Sequence, residues 1–309
     1  KATAKAKCTV NKNITLYALQ KKAVQLTLHR CDGSTWQKTT LAKGSSYSLP
    51  GVRDAEGYTF MGWSTKPMQS VSPQYEAEEK ITVNGNVDLY AVVFNRTTET
   101  DLTEDQLPQV DIYKYKQVIF VGDSRTEFME NVLTGMGESA TKNVKFVCSA
   151  GKGLDWFTTT GWAQLYSIVQ HDSNSILSKK TAVIFNFGVN DLSKSADYAE
   201  YYNWIAPQLK SKGCELYFMS VNPVNRLMLP NAGRADRSEA AVRSFNQYMK
   251  ANLSSAYTYI DMYSYLKSTG YSFASDHYGT GTVDDGLHYT TRTYKRIFAK
   301  CMDSLRVPA

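Results

Sequence analysis

The chain is 309 residues long and has only four histidines, His29, His171, His277 and His288, so few places can host acid–base chemistry near neutral pH. Its five cysteines, Cys8, Cys31, Cys148, Cys214 and Cys301, show no metal-ligand spacing, and an odd number leaves at least one thiol unbridged. A Cys8–Cys31 bridge stays open, without support from spacing. Cys148 and Cys214 sit in apolar strands, where a cysteine usually packs as a small hydrophobe. No apolar run approaches the roughly 20 residues of a membrane span. The opening Lys1-Ala2-Thr3-Ala4-Lys5 has no apolar core behind it, so no leader is visible, and an upstream signal already removed is the expectation. No phosphate-cradling glycine loop and no metal cluster appears. No cofactor and no metal are therefore expected, and nucleic-acid binding has no support beyond charge.

The charge itself is uneven. Residues 1–95 hold twelve Lys or Arg against seven Asp or Glu, whereas the remainder holds 23 against 22. The excess belongs to the N-terminal part, where a solvated surface is the plain reading and contact with anionic cell-wall polymers the functional one. At 42% hydrophobic and 21% charged residues the composition is globular, and the length favours two domains.

An internal repeat marks the first of them. Thr9-Val10-Asn11-Lys12-Asn13-Ile14-Thr15-Leu16-Tyr17-Ala18 matches Thr82-Val83-Asn84-Gly85-Asn86-Val87-Asp88-Leu89-Tyr90-Ala91, which suggests stacked modules. The chain thus opens on the end of one repeat and continues with a full one, from about Ala23 to Phe94. Val24-Gln25-Leu26-Thr27-Leu28 alternates as a half-buried strand does, and Gly57-Tyr58-Thr59-Phe60-Met61-Gly62-Trp63 is aromatic with glycines at bends. A small all-β module over 1–95 follows, without a catalytic constellation. Trp63 fits a core position better than a sugar platform. Polar residues 96–112, with Pro108, read as a linker.

From Tyr113 strands alternate with helices, the mark of a parallel sheet with crossover helices. Strands are predicted near 117–122, 144–148, 181–187, 214–221 and 257–261. Helices are predicted near 125–136, 161–177, 196–211, 237–254 and 290–305. The result is a three-layer α/β/α domain, flavodoxin-like, over 113–309.

Its strand ends carry the chemistry. Val118-Ile119-Phe120-Val121-Gly122-Asp123-Ser124 puts a serine at a strand-to-helix junction, where the crevice of an open α/β sheet forms. Phe187-Gly188-Val189-Asn190-Asp191 closes another apolar strand, and Asp285-Gly286-Leu287-His288 lies near the carboxyl end. A hydroxyl, an amide and a carboxylate–imidazole pair are the components of ester hydrolysis. Each has a rival. Ser124 as a mere helix cap, His277 as the base, Asp284 in place of Asp285 and Gly153 in place of Gly151 are all weighed. Asp123 and Asp191 read as loop braces. Lys152, Asp155 and Trp156 are candidates to line the pocket.

These blocks resemble the SGNH (GDSL-type) hydrolase superfamily through Gly122-Asp123-Ser124, the glycine of Ser149-Ala150-Gly151-Lys152-Gly153, Gly188-Val189-Asn190-Asp191 and Asp285-Gly286-Leu287-His288, over about residues 113–305. The N-terminal part resembles the Listeria–Bacteroides repeat of bacterial surface proteins through Gly57 to Trp63 and Leu89-Tyr90-Ala91. The first resemblance implies strand order 2-1-3-4-5, Ser124 as nucleophile, His288 as base oriented by Asp285, and an oxyanion hole from Asn190 with the backbone amides of Gly151 and Ser124. Arg125 stands where that family's naming pattern has Leu, and Arg125, Asn225 and Arg226 are expected near substrate. Together they imply a secreted or surface serine esterase removing an acyl group, acetyl first among them, from a carbohydrate. The alternatives are a lipid or lysophospholipid esterase, an acyltransferase, or a non-catalytic adhesin.

Overall fold

Alternate side chains of Ala23–His29 (β1) turn inward, and the strand pairs with Thr35–Ala42 (β2) through a turn at Asp32-Gly33. The computed structural model describes residues 12, 13, 15, 21–111, 114–171, 180–229, 237–274 and 284–305. Most of the earlier copy of the repeat, and His277, lie outside these residues. Ser45–Ser48 (β3) pairs with Lys80–Val83 (β5), while Tyr58–Ser64 (β4) and Val87–Asn95 (β6) complete a four-stranded sheet of order β2-β1-β6-β4. Leu26, Leu28, Leu49, Trp63 and Leu89 fill its small core, each 0–1% exposed. Trp63 is thus a core residue whose indole N–H donates to the Pro50 carbonyl, 2.9 Å.

The second region is a five-stranded parallel sheet built from Tyr115–Gly122 (β7), Val144–Cys148 (β8), Lys180–Asn186 (β9), Cys214–Met219 (β10) and Tyr257–Ile260 (β11). Its order, β11-β10-β9-β7-β8, is the expected 2-1-3-4-5 counted along this sheet. Helices Ser124–Met136 (α1), Leu154–Trp156 (α2), Trp162–His171 (α3), Ser195–Lys210 (α4), Glu239–Asn252 (α5), Met262–Thr269 (α6) and Thr291–Ser304 (α7) cover both faces. Along β7, Val118 and Phe120 face the core under α1, α6 and α7. Ile119 and Val121 face the one under α3, α4 and α5. Burial on both faces explains the unbroken apolar run that identified this strand. Each such side chain contributes about 1.5–3 kcal/mol. The fold is therefore the expected three-layer α/β/α arrangement beside a sheet-rich N-terminal region.

The two regions share more than a chain. Met61, Val92 and Phe94 of the β-region sit in the same core cluster as Val118, Phe120 and Phe298. Lys267 on α6, buried, donates to the Met61 carbonyl and pairs with Glu76 and Glu239. Burial works against its ammonium, yet the two carboxylates hold its pKa well above the ordinary value. Within 96–112, Glu99 is buried and accepts from Ser272, Thr293 and Arg296. This segment is anchored along the α/β region.

Candidate active site

The chain turns sharply after β7. Asp123 is the cap of α1, its Oδ1 accepting from the Arg125 amide at 3.0 Å, so capping does not occupy the hydroxyl of Ser124. Ser124 opens the helix, buried, with Oγ 2.9 Å from His288 Nε2. His288 Nδ1 lies 2.6 Å from Asp285 Oδ2. A carboxylate accepts only, so Nδ1 carries the proton in the neutral ring and Nε2 is left to accept from serine. Phe128, one turn along α1, packs tilted against the imidazole, with 4.4 Å between ring centroids. Burial lifts the Asp123 carboxyl to about 6 despite Arg125 beside it.

Asp285 is fixed by its own turn. Its Oδ1 accepts from the amides of Leu287, 2.9 Å, and His288, 2.8 Å. Burial favours the protonated acid, but the His288 hydrogen bond, the His288 charge and these two amides outweigh it and hold the pKa below the ordinary value. Asp284, one residue earlier, faces the other way: it pairs with Arg96 and accepts from the Gly286 amide. Between the two aspartates, only Asp285 reaches the imidazole.

Opposite lies the loop 149–153. Gly151 is exposed at φ +69°, with open space where a side chain would stand. Gly153 differs, because the Asp191 carboxylate occupies the space a Cβ would need. Asp191 accepts from the Leu154 amide, 2.9 Å, and the Tyr198 hydroxyl, 2.7 Å, which makes it a brace between two loops. Asn190 donates through Nδ2 to the Lys152 carbonyl at 2.7 Å, and its Oδ1 accepts from Arg237 at 2.6 Å. An amide nitrogen carries two hydrogens, so one donor remains beyond the bond to Lys152.

The three residues expected near substrate are engaged elsewhere. Arg125 is 2% exposed and donates to the carbonyls of Leu287, Asn222 and Pro223 at 2.9–3.0 Å, with Tyr289 against its face. The extra cation in the serine block therefore ties the loops after β10 and before α7 to the helix start. Asn225 donates to Val52 and Asp54, and Arg226 pairs with Glu78; both are turned to the N-terminal region. Asp155 pairs with Lys194, and Trp156 packs near Phe187. Phe128 was findable from the i, i+4 spacing to Ser124, whereas Arg237, Asp54 and Arg96 left no local signal.

A serine at a strand end, an imidazole and a carboxylate thus stand in one hydrogen-bonded line beside a three-layer α/β/α sheet. Residues 118–301 match the GDSL-like lipase/acylhydrolase family, and the chain belongs to it. Residues 26–92 match the Listeria–Bacteroides repeat domain. No curated protein matches the chain. Among solved structures, a Bacteroides fragilis protein designated an acylhydrolase is 16% identical, covering 65% of this chain and 92% of its own, at a TM-score of 0.41. An acetyl xylan esterase, AlAXEase, is 10% identical, with 62% and 100% covered and a TM-score of 0.40. The esterase EstA from Pseudoalteromonas sp. is 11% identical, with 62% and 96% covered and a TM-score of 0.35. No helix among the described residues is long and apolar enough to cross a membrane.

Proposed function

We propose that the chain is a serine esterase that removes an acetyl or other short acyl group from a carbohydrate, outside the cell or at its surface. The observation that carries this reading is the continuous line from Ser124 Oγ through both ring nitrogens of His288 to Asp285. Ser124 Oγ attacks the ester carbonyl carbon while His288 Nε2 takes its proton. The imidazolium then formed is held by Asp285. Charge gathers on the former carbonyl oxygen, where the second Nδ2 hydrogen of Asn190 and the amides of Gly151 and Ser124 serve as donors. The tetrahedral intermediate collapses, and the leaving alkoxide receives the proton from His288. Water, deprotonated by His288, then attacks the acyl-enzyme and releases the carboxylic acid and free serine.

The carbohydrate part rests on the N-terminal region. Its likeness to a repeat found in bacterial surface proteins favours an extracellular setting. There, a cavity of about 480 Å³ is walled by Trp36 and Tyr58, 40% and 44% exposed, with Arg30 and Arg53 at its rim. Aromatic faces beside polar donors suit a sugar ring.

The test is hydrolysis of p-nitrophenyl esters from acetyl to longer chains, with Ser124→Ala alongside. Turnover of the acetyl ester should fall at least about 10⁴-fold in the variant. Equal turnover in both proteins would remove Ser124 as nucleophile. A preference for long chains would favour a lipid esterase, and ester rather than acid as the main product in added alcohol an acyltransferase.

A further inference from the structure

The segment that carries Asp285 and His288 is held from two sides. From Leu287 onward the α/β region holds it: Arg125 Nε donates to the Leu287 carbonyl, Ala274 N–H to the His288 carbonyl at 2.9 Å, and Thr290 N–H to the Ser272 carbonyl at 3.0 Å. Before Leu287 the partners change. The Asp284 carboxylate pairs with Arg96, which follows β6 directly. Arg96 Nη2 also reaches Asp54 Oδ2 at 2.6 Å, and its Nε donates to Thr59 Oγ1 at 2.9 Å. Asp54 Oδ1 accepts from the side chain of Asn225 at 2.8 Å, and the Asn225 amide donates to the Gly286 carbonyl at 2.8 Å. Gly286 N–H returns to Asp284 Oδ1 at 2.9 Å.

These contacts close a ring through Arg96, Asp284, Gly286, Asn225 and Asp54. Asp54 belongs to the β-region and Arg96 follows its last strand, and Asp285 lies in the stretch the ring encloses. The ring tolerates little movement. Gly286 has φ +65°, and the Asn225 carbonyl oxygen occupies the space a Cβ would need. The side chains of Asp54, Asp284 and Arg96 are 1%, 12% and 19% exposed, so water offers the two carboxylates little substitute for the guanidinium.

We infer that the repeat module is a working part of the active site: through Arg96 it positions the 284–286 turn, and with it Asp285 against His288. Arg96 is a positioning residue, since it touches neither Ser124 nor His288. This inference rests on the Ser124–His288–Asp285 reading given above. It assigns the β-region a task that neither a spacer nor an adhesive module requires. Without the cation, Asp54 and Asp284 face each other uncompensated, and the turn gains freedom to shift. Displacement of a reacting group by about 1 Å can cost up to 10²-fold in rate.

The experiment uses the full chain and a fluorophosphonate probe, which reports the reactivity of Ser124 whatever the natural substrate. Arg96→Met should slow labelling by about ten- to a hundredfold, with kcat for p-nitrophenyl acetate falling in step and KM little changed. Arg96→Lys, which keeps a cation, should recover most of the rate. Arg243→Ala removes a different module contact, the bond to the Ala77 carbonyl, and should label within about twofold of the native protein. Equal labelling of Arg96→Met and native protein overturns the inference, and so does equal slowing by Arg96→Met and Arg243→Ala. If Arg96→Met does not fold, Asp284→Asn carries the same test, because it keeps the oxygen that accepts from Gly286 and replaces the one that accepts from Arg96 with a donor, which removes the ion pair.

Absence of labelling and turnover in the native protein would instead sink the nucleophile reading. The inference then stands or falls on the His288 Nδ1 proton. That proton should be visible downfield in the native proton spectrum and exchange away in Arg96→Met. An unchanged resonance would overturn the inference by itself.

Discussion

Ser124 and the Asp285–His288 pair meet in one hydrogen-bonded line, yet they come from differently built surroundings. The serine sits where a strand buried on both faces ends and opens the helix that Asp123 caps, with Arg125 adding ties to the loops around it. Everything that sets its place lies within the α/β region. The Asp–His segment has no strand beneath it: it is a turn before α7, held on one side by that region, Asn225 included, and on the other by Arg96, which also pairs with Asp54. The serine's geometry is thus a property of the sheet, while that of the imidazole–carboxylate pair depends on a docked second region.

Breaking the serine side should be the costlier change for folding. Arg125→Ala takes the guanidinium from the carbonyls of Leu287, Asn222 and Pro223, of which Pro223 keeps the Tyr289 hydroxyl as a donor, and a loss of about 3–5 kcal/mol is expected in urea unfolding. A loss under about 1 kcal/mol would mean that water or a neighbour replaces the guanidinium, and that the sheet side is less self-contained than described. Asn190→Ala addresses the wall opposite both. It should lower kcat by about 10²–10³ with little change in KM, since the proposed bond forms as charge develops. A change confined to KM would place Asn190 in substrate binding.

The smallest effect sharpens the module side. Burial, with repulsion from Asp284, pushes the Asp54 carboxyl up to about 7 against the pull of the Phe60 amide and Arg96. A carboxyl with a raised folded-state pKa takes up a proton on folding between its ordinary value and the raised one. Its contribution to stability therefore falls as pH rises from about 4 to about 7, and is flat above. Asp285, lowered, runs the other way and gives stability that is lost as pH falls below the ordinary carboxylate value. Asp54→Asn should remove the falling limb, so the variant gains relative to native protein by about 1 kcal/mol or more on going from pH 5 to pH 8. Parallel stability curves for the two proteins would show that Asp54 ionises normally in the folded state.

Much of this was legible in residue order because it is local. The apolar run ending in Gly122-Asp123-Ser124 announces a two-faced strand and a helix start, and Asp285 and His288 are close enough in sequence for one turn to join them. Choosing Asp285 over Asp284 needed the turn's orientation, which the peptide amides of Leu287 and His288 settle. The contacts that Arg125, Asn225 and Arg226 make were illegible for the opposite reason. Their partners lie about 100 to 170 residues away, and no pattern in a single sequence reports such pairs.

The sequence by itself determined the parallel sheet, its order through family likeness, the sheet-rich N-terminal region and the residues proposed for ester hydrolysis, because periodicity and short motifs encode neighbours along the chain. Tertiary structure alone decided that Arg96 reaches Asp284 across 188 positions, and that the module touches the turn beside Asp285. That contact exists because two buried carboxylates need a cation, and folding, not chain order, brings one to them.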